Sequence, residues 1–340
     1  MTGYEIKGTT LYILDKYENG NPIIFFDLIN LFRELYFSKT NIKKIYFGPF
    51  LKGYIETEIL DTDDDGYPTE TREVEKVYGL YPLNSAPETL VEWEVDPRNE
   101  TFVSVDGMIF LRKNMLLLNV PSSKKHVCLK KDMTFQTEMK SDGLRMHYYF
   151  SKNVKTIIVP DENVFHLVRA AVKSDVFGWP KQDNDTQIEL EGHVGEYVEF
   201  YNEDKKIFYG INRAPKGGKV KIPEGVETVE CYACADIGLK EVVFPASLKC
   251  IKSGAFRNCD LREINLPKGL IEIFSYAFEN NDLREIDIPS KVKEVGSGAF
   301  GGNHNLTLVK MPNKLKGRIK SMFYDCKKLK KDNIILEKQK

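Results

Sequence analysis

The chain has 340 residues, 42% of them hydrophobic and 29% charged, enough apolar content to bury a large core as one elongated or two compact domains. Its 49 Lys and Arg nearly balance 50 Asp and Glu for a net charge of −1, so there is no basic field to draw nucleic acid or an anionic membrane. No run of 18 apolar residues occurs, which excludes a membrane-spanning helix, and the first ten residues lack the basic and apolar regions of an export signal.

The first forty residues are the least regular. Apolar side chains at helical spacing in Ile24-Phe-Phe-Asp-Leu28-Ile-Asn-Leu-Phe32-Arg-Glu-Leu35-Tyr36, after the breakers Asn19-Gly20-Asn21-Pro22, predict an amphipathic helix. Residues 1–40 are therefore expected to be a helical N-terminal cap over the end of a core, with a partner-binding helix as the alternative. Ile42, Ile45 and Phe47 before Pro49 then mark a strand with inward residues at alternate positions. The same signature returns at Leu90, Trp93, Val95 and Pro97, and at Val154, Ile157, Val159 and Pro160, so an array of degenerate repeats is expected over 41–218, beginning near residue 40.

Insertions punctuate that stretch. Asp61, Asp63, Asp65 and Gly66 match the first half of a calcium loop, but Arg72 stands where a bidentate Glu belongs and the flanks read as strands. Two readings stand side by side: a calcium site on Asp61, Asp63 and Asp65, or a solvated acidic hairpin tip. Val105–Pro121 and Tyr197–Pro215 each read as strand, polar turn, strand and proline, the pattern of a projecting hairpin. A short helix is expected at 163–172, and a loop at 175–195 is the largest break in the array.

From residue 219 the pattern becomes regular. Leu239, Leu261, Leu283, Leu306 and Leu329 open units of 22, 22, 23 and 23 residues. Each unit continues with an apolar pair and a proline, as in Ile264-Asn-Leu266-Pro267, and a second apolar pair such as Leu270 and Ile273. An Ala-Phe corner closes it, at Ala255-Phe256, Ala277-Phe278 and Ala299-Phe300, with Met322-Phe323 as a looser copy. A fixed period of this size means a solenoid. One unit buries too little apolar surface to offset about 1–2 kcal/mol of backbone entropy per ordered residue, so the units must stack, with strands about 4.8 Å apart. Phe256, Phe278, Phe300 and Phe323 are then expected to form one column.

The order Leu261-Arg-Glu-Ile264-Asn-Leu266-Pro267, Leu270, Ile273, Ala277-Phe278-Glu-Asn-Asn281 resembles the BspA-type leucine-rich repeat of bacterial cell-surface and host-contact proteins. The resemblance is close over 219–329 and looser upstream. It implies an α+β, β-rich fold: a right-handed, curved leucine-rich-repeat solenoid with a parallel sheet on one face, 22–23-residue repeats, a helical N-terminal cap and inserted β-hairpins. It also implies an interaction surface with no catalytic apparatus, at the cell surface or secreted. The regular repeats occupy 219–340 and end in a basic C-terminal cap, where 310–340 carries 11 bases against 3 acids; residues 51–100 carry 14 acids against 4 bases.

Candidate chemistry is sparse. Cys231-Tyr-Ala-Cys234 invites a redox or zinc reading, but Cys234 falls 22 residues before Phe256 and so occupies the buried Phe slot. Cys259 and Cys326 share a register with Asn281 and Asn303, where leucine-rich repeats satisfy turn backbone. The five histidines are isolated, and no nucleophile elbow, phosphate loop or dinucleotide fingerprint occurs, so no enzyme activity and no cofactor are expected. The informative residues point outward between the inward pair of each strand. Lys221, Val243, Asn265, Asp287 and Lys310 form the expected binding face, beside a basic column, Lys240, Arg262 and Arg284, and an acidic one, Glu241, Glu263 and Glu285, expected to relieve each other by alternate pairing. The function expected is a non-enzymatic module binding a protein ligand along this face, without nucleic acid or membrane insertion. The alternative is a calcium- or carbohydrate-recognising cell-surface adhesin.

Overall fold

Short strands with one or two inward side chains dominate, because apolar residues alternate with polar ones and turn residues recur every few positions. The computed structural model describes residues 4–14, 16, 21, 25–26, 31, 41–62, 68–76, 87, 89–113, 115–134, 137–140, 143–146, 153–173 and 186–337. Two compact units result, one of residues 1–136 with 147–155 and the other of 137–146 with 156–340.

In the first unit, Tyr4–Lys7 and Thr10–Ile13 form an antiparallel hairpin, and Thr10–Ile13 begins a parallel ladder through Lys44–Phe47 to Glu92–Val95. Leu11, Ile45 and Trp93 align across it, as do Ile13, Phe47 and Val95, and all six are buried. The parallel ladder therefore starts at residue 10, upstream of the expected start near 40, and the described N-terminal residues open on a hairpin. The reason is local: Gly8, at φ +61°, closes a two-residue turn, and Leu11 and Ile13 then alternate with period 2 without the leucine lead or proline that mark later strands. Of the helix expected over 24–36, Phe25–Phe26 is a strand beside Gly53–Tyr54, Leu31 is helical and buried, and the rest lies outside the described residues. Gly53–Thr62 and Pro68–Lys76 pair as a long antiparallel hairpin. Phe102–Val105, Met108–Leu111 and Leu116–Asn119 make the first inserted sheet, turned at Asp106-Gly107. Trp93 Nε1 donates to Asn119 Oδ1 at 2.9 Å inside this unit, satisfying a buried indole.

The second unit carries the expected helix, Glu162–Lys173, between the parallel strands Thr156–Val159 and Gln187–Leu190. Its Phe165 ring stacks on Phe200 at 3.5 Å, and its buried Arg169 donates to the carbonyls of Tyr232 and Ala235, both at 2.7 Å. The second inserted hairpin is Glu199–Tyr201 with Ile207–Ile211. Of the loop expected at 175–195, residues 175–185 lie outside the described residues, and Gln187–Leu190 is a strand instead of loop.

Two ladders follow, not one sheet on one face. The front ladder holds the predicted strands: Lys219–Lys221 beside Glu241–Val243, then Glu285–Asp287, Leu308–Pro312 and Ile334–Glu337. Between these groups residues 262–266 carry no strand assignment. The back ladder runs unbroken from Ile207–Ile211 through Thr228–Val229, Cys250–Ile251 and Glu272–Ile273 to Glu294–Val295. Back-ladder partners such as Val229, Ile251, Ile273 and Val295 are 22 residues apart, and Asp287 meets Lys310 23 residues on. Between the ladders the Phe column closes the core: Phe256, Phe278, Phe300 and Phe323 stack at 5.4, 5.5 and 5.6 Å with planes within 16° of parallel.

Candidate functional site

Period-2 alternation puts Val242, Ile264, Ile286 and Val309 inside and their neighbours outside, so the front ladder presents a row of solvent-facing side chains. Lys221, Asn265, Asp287 and Lys310 are exposed and Val243 is half-buried. Where the ladder is interrupted at 262–266, a groove of about 680 Å³ opens. Asn265, Asp287 and Lys310 line it; Lys221 and Val243 do not. The structure thus gathers three of the five predicted residues into one concavity.

Both charge columns border the same groove, with Lys240, Arg262, Arg284 and Lys310 facing Glu241, Glu263, Glu285 and Asp287. The alternate pairing expected between the columns does not form among the described residues. Lys219 instead takes Glu241 at 2.6 Å, and Arg262 leans to Asp282 at 3.6 Å. Asp282 was missed in the sequence because it falls in the turn before the strand motif. The consequence is a mixed-charge groove whose Glu263, Arg284, Glu285, Asp287 and Lys310 make no ion pair among the described residues.

The other candidates are structural. Cys234 is fully buried in the Phe slot, and burial pushes its thiol well above the ordinary range. Cys259 is pushed up to about 12 and Cys250 and Cys326 to about 11, again mainly by burial, so none is poised as a nucleophile. All six cysteines are free thiols. Asn281 and Asn303 are buried and bind turn backbone on both sides: Asn281 Nδ2 donates to Phe256 O at 2.8 Å and Phe278 O at 3.1 Å, while its Oδ1 accepts from Leu261 N–H at 3.1 Å. The thiols of Cys259 and Cys326 donate to Cys234 O at 3.1 Å and Phe300 O at 3.2 Å. Among the described residues no group of His, Cys, Asp and Glu fits a metal ion. Asp61 lies within the strand Gly53–Thr62, whereas Asp63 and Asp65 lie outside the described residues. No helix among the described residues is long and apolar enough to cross a membrane.

Residues 207–338 match the BspA type leucine rich repeat region in six copies. No curated protein matches the chain. Similar solved structures include a leucine rich cell surface protein from Faecalibacterium prausnitzii, 14% identical, covering 100% of this chain and 87% of that one with a TM-score of 0.47. A leucine-rich repeat protein from Eubacterium ventriosum is 15% identical over 97% of this chain and 80% of that one, TM-score 0.43. The T. pallidum leucine rich repeat protein is 21% identical over 60% and 80%, TM-score 0.33. The Phe column, the buried Asn and Cys row and the repeated strand motif are all in register over the same residues, 207–338, that match the six BspA-type leucine-rich repeats.

Proposed function

We propose that the chain is a non-enzymatic interaction module that docks a protein ligand along the front ladder, with Lys221, Val243, Asn265, Asp287 and Lys310 setting specificity. In this reading the regular repeats, 219–340, carry the docking face of a right-handed solenoid, 41–218 is the degenerate part with its inserted hairpins, and the helical part of 1–40 covers an end of the core. A bacterial cell-surface or secreted setting fits the repeat type.

The observation that carries the reading is the groove itself. It is lined by four basic and four acidic side chains, of which Glu263, Arg284, Glu285, Asp287 and Lys310 make no ion pair among the described residues. Charge arranged this way selects a partner by complementarity more than by apolar area. With a captured protein ligand, Asp287→Lys and Lys310→Glu should each weaken binding about tenfold, chiefly through a salt-sensitive association rate, and leave the melting temperature within about 1 °C of the parent. Unchanged affinity in both variants removes this face as the docking site. A calcium-recognising adhesin using Asp61, Asp63 and Asp65 is the second reading, supported only by the acidic sequence joining Gly53–Thr62 to Pro68–Lys76. Calorimetry without calcium-dependent stabilisation ends it.

A further inference from the structure

A second surface lies at the corner that follows the back ladder. Tyr232, Gly254, Tyr276 and Gly298 hold one position in four successive turns, each N–H donating to the serine carbonyl of the next turn, Ser253, Ser275, Ser297 or Ser321, at 2.7–3.1 Å. All four have left-handed backbone, φ +56 to +63°. Glycine suits that conformation, and a bulky aromatic does not, so Tyr232 and Tyr276 are outliers that the turn alone does not call for.

The glycines explain where the rings go. A Cβ on Gly254 would sit 2.5 Å from Tyr232 Cε1, and one on Gly298 would sit 2.6 Å from Tyr276 Cδ1 and 2.8 Å from Tyr324 Cε1. Tyr324 also covers Gly301. Two ring edges therefore converge over bare backbone at Gly298 and form one shelf. Tyr276 is 42% and Tyr324 41% exposed, a large aromatic area left in water. Tyr324 is anchored: its hydroxyl donates to Glu279, which is buried and paired with Arg257 at 2.5 Å. Beside it runs a polar row, in which Asn258 Nδ2 donates to Asp236 Oδ1 at 2.6 Å and Asn280 Nδ2 to Asn258 Oδ1 at 2.9 Å. The exposed Asn280 amide ends that row four residues after Tyr276, its Oδ1 over the bare backbone of Gly302.

We propose that Tyr276 and Tyr324 are a stacking platform for the pyranose rings of an oligosaccharide, with Asn280 meeting the hydroxyl edge. A pyranose offers an apolar C–H face and a rim of hydroxyls that a planar amide can both donate to and accept from, and the site offers the complement of each. A polyproline segment carries carbonyl acceptors but no N–H or O–H donors, so it could engage only the donor half of a planar amide. An amphipathic helix needs a deep apolar groove, and the site is a shelf bordered by amides.

Chitohexaose and cellohexaose are titrated separately into the full chain by calorimetry and saturation-transfer NMR. Saturable binding of at least one, with a Kd no weaker than about 1 mM, is expected, its transfer signal strongest at ring C–H protons. Tyr276→Gly suits the left-handed backbone, so it should fold as the parent does and weaken binding at least about tenfold, whereas Tyr276→Phe keeps affinity within about twofold. Lys310→Glu, on the front ladder, should leave sugar binding unchanged, which separates this site from the proposed docking face. The proposal is overturned if neither hexasaccharide binds at about 5 mM, if Tyr276→Gly binds as the parent does, or if a proline decamer binds through Tyr276 while both sugars are ignored.

Discussion

Replacing Asn303 with alanine tests the buried row of amides that ties each turn to the next. Asn303 is fully buried; its Nδ2 donates to Phe300 O at 2.8 Å and Phe278 O at 3.0 Å, and its Oδ1 accepts from Leu283 N–H at 3.1 Å. The carbonyls keep other partners, because Asn281 Nδ2 reaches Phe278 O at 3.1 Å and the Cys326 thiol reaches Phe300 O at 3.2 Å. Leu283 N–H, in a fully buried residue, has no second acceptor among the described residues, so the alanine variant strands one buried donor. That costs about 1–3 kcal/mol, and loss of the amide's own donations brings the total to about 2–4 kcal/mol. Asn303→Cys restores the donor that Cys259 and Cys326 provide but only a weak acceptor, and should cost about half as much. Urea unfolding reads both as shifts of the midpoint at constant slope. A loss below about 0.5 kcal/mol for alanine, or equal losses for alanine and cysteine, refutes the reasoning, because it means the N–H finds water.

The remaining predictions concern the same interior. Phe278→Ala empties the middle of a stack of four rings and should cost about 3–5 kcal/mol in chemical unfolding; a cost under about 1 kcal/mol would show that the column is not close-packed. Native-state labelling with a thiol reagent at about pH 8 should modify Cys128, which is exposed, well before the buried Cys231, Cys234, Cys259 and Cys326, and Cys128→Ser should abolish the fast phase. The raised thiols also set a pH dependence. The unfolded chain loses these protons near about 8.5, the folded chain keeps them to about 11 at Cys250 and Cys326 and about 12 at Cys259, so stability falls as pH rises through that window. Melting temperatures at increasing alkaline pH should decline less steeply in Cys259→Ser than in the parent, and parallel declines would count against burial as the cause.

The readable parts of the fold are those in which one residue type must recur at one place. Phe256, Phe278 and Phe300 repeat because a ring is the side chain that fills the corner, and Asn281, Asn303, Cys259 and Cys326 repeat because that slot must donate to a carbonyl. The back ladder was not readable. Beyond Ile207–Ile211 its strands are two residues long with one buried side chain each, as in Cys250–Ile251 and Glu272–Ile273, too short to display alternation. The hairpin at Tyr4–Ile13 was hidden for a related reason, since Gly8-Thr9 is a weak turn signal without flanking prolines. At the docking face, position was legible and pairing was not. Alternation shows which side chains reach solvent, but the partner chosen by Arg262 or Lys219 depends on how neighbouring turns are offset, which no single repeat encodes. The tyrosine shelf escaped notice because its residues, Tyr276, Gly298 and Tyr324, belong to three different turns and look like unrelated corner positions.

The amide row has one more implication, for how such a chain changes length. Asn281 grips the carbonyl of its own turn at Phe278 and that of the turn before at Phe256, so each coil brings both a plug and a socket of identical form. Copying or deleting one complete coil at the level of the gene leaves every junction chemically the same as the one it replaces. Excising residues 261–282 should yield a shorter folded protein, whereas removing half that number would misalign ring against amide along all that follows.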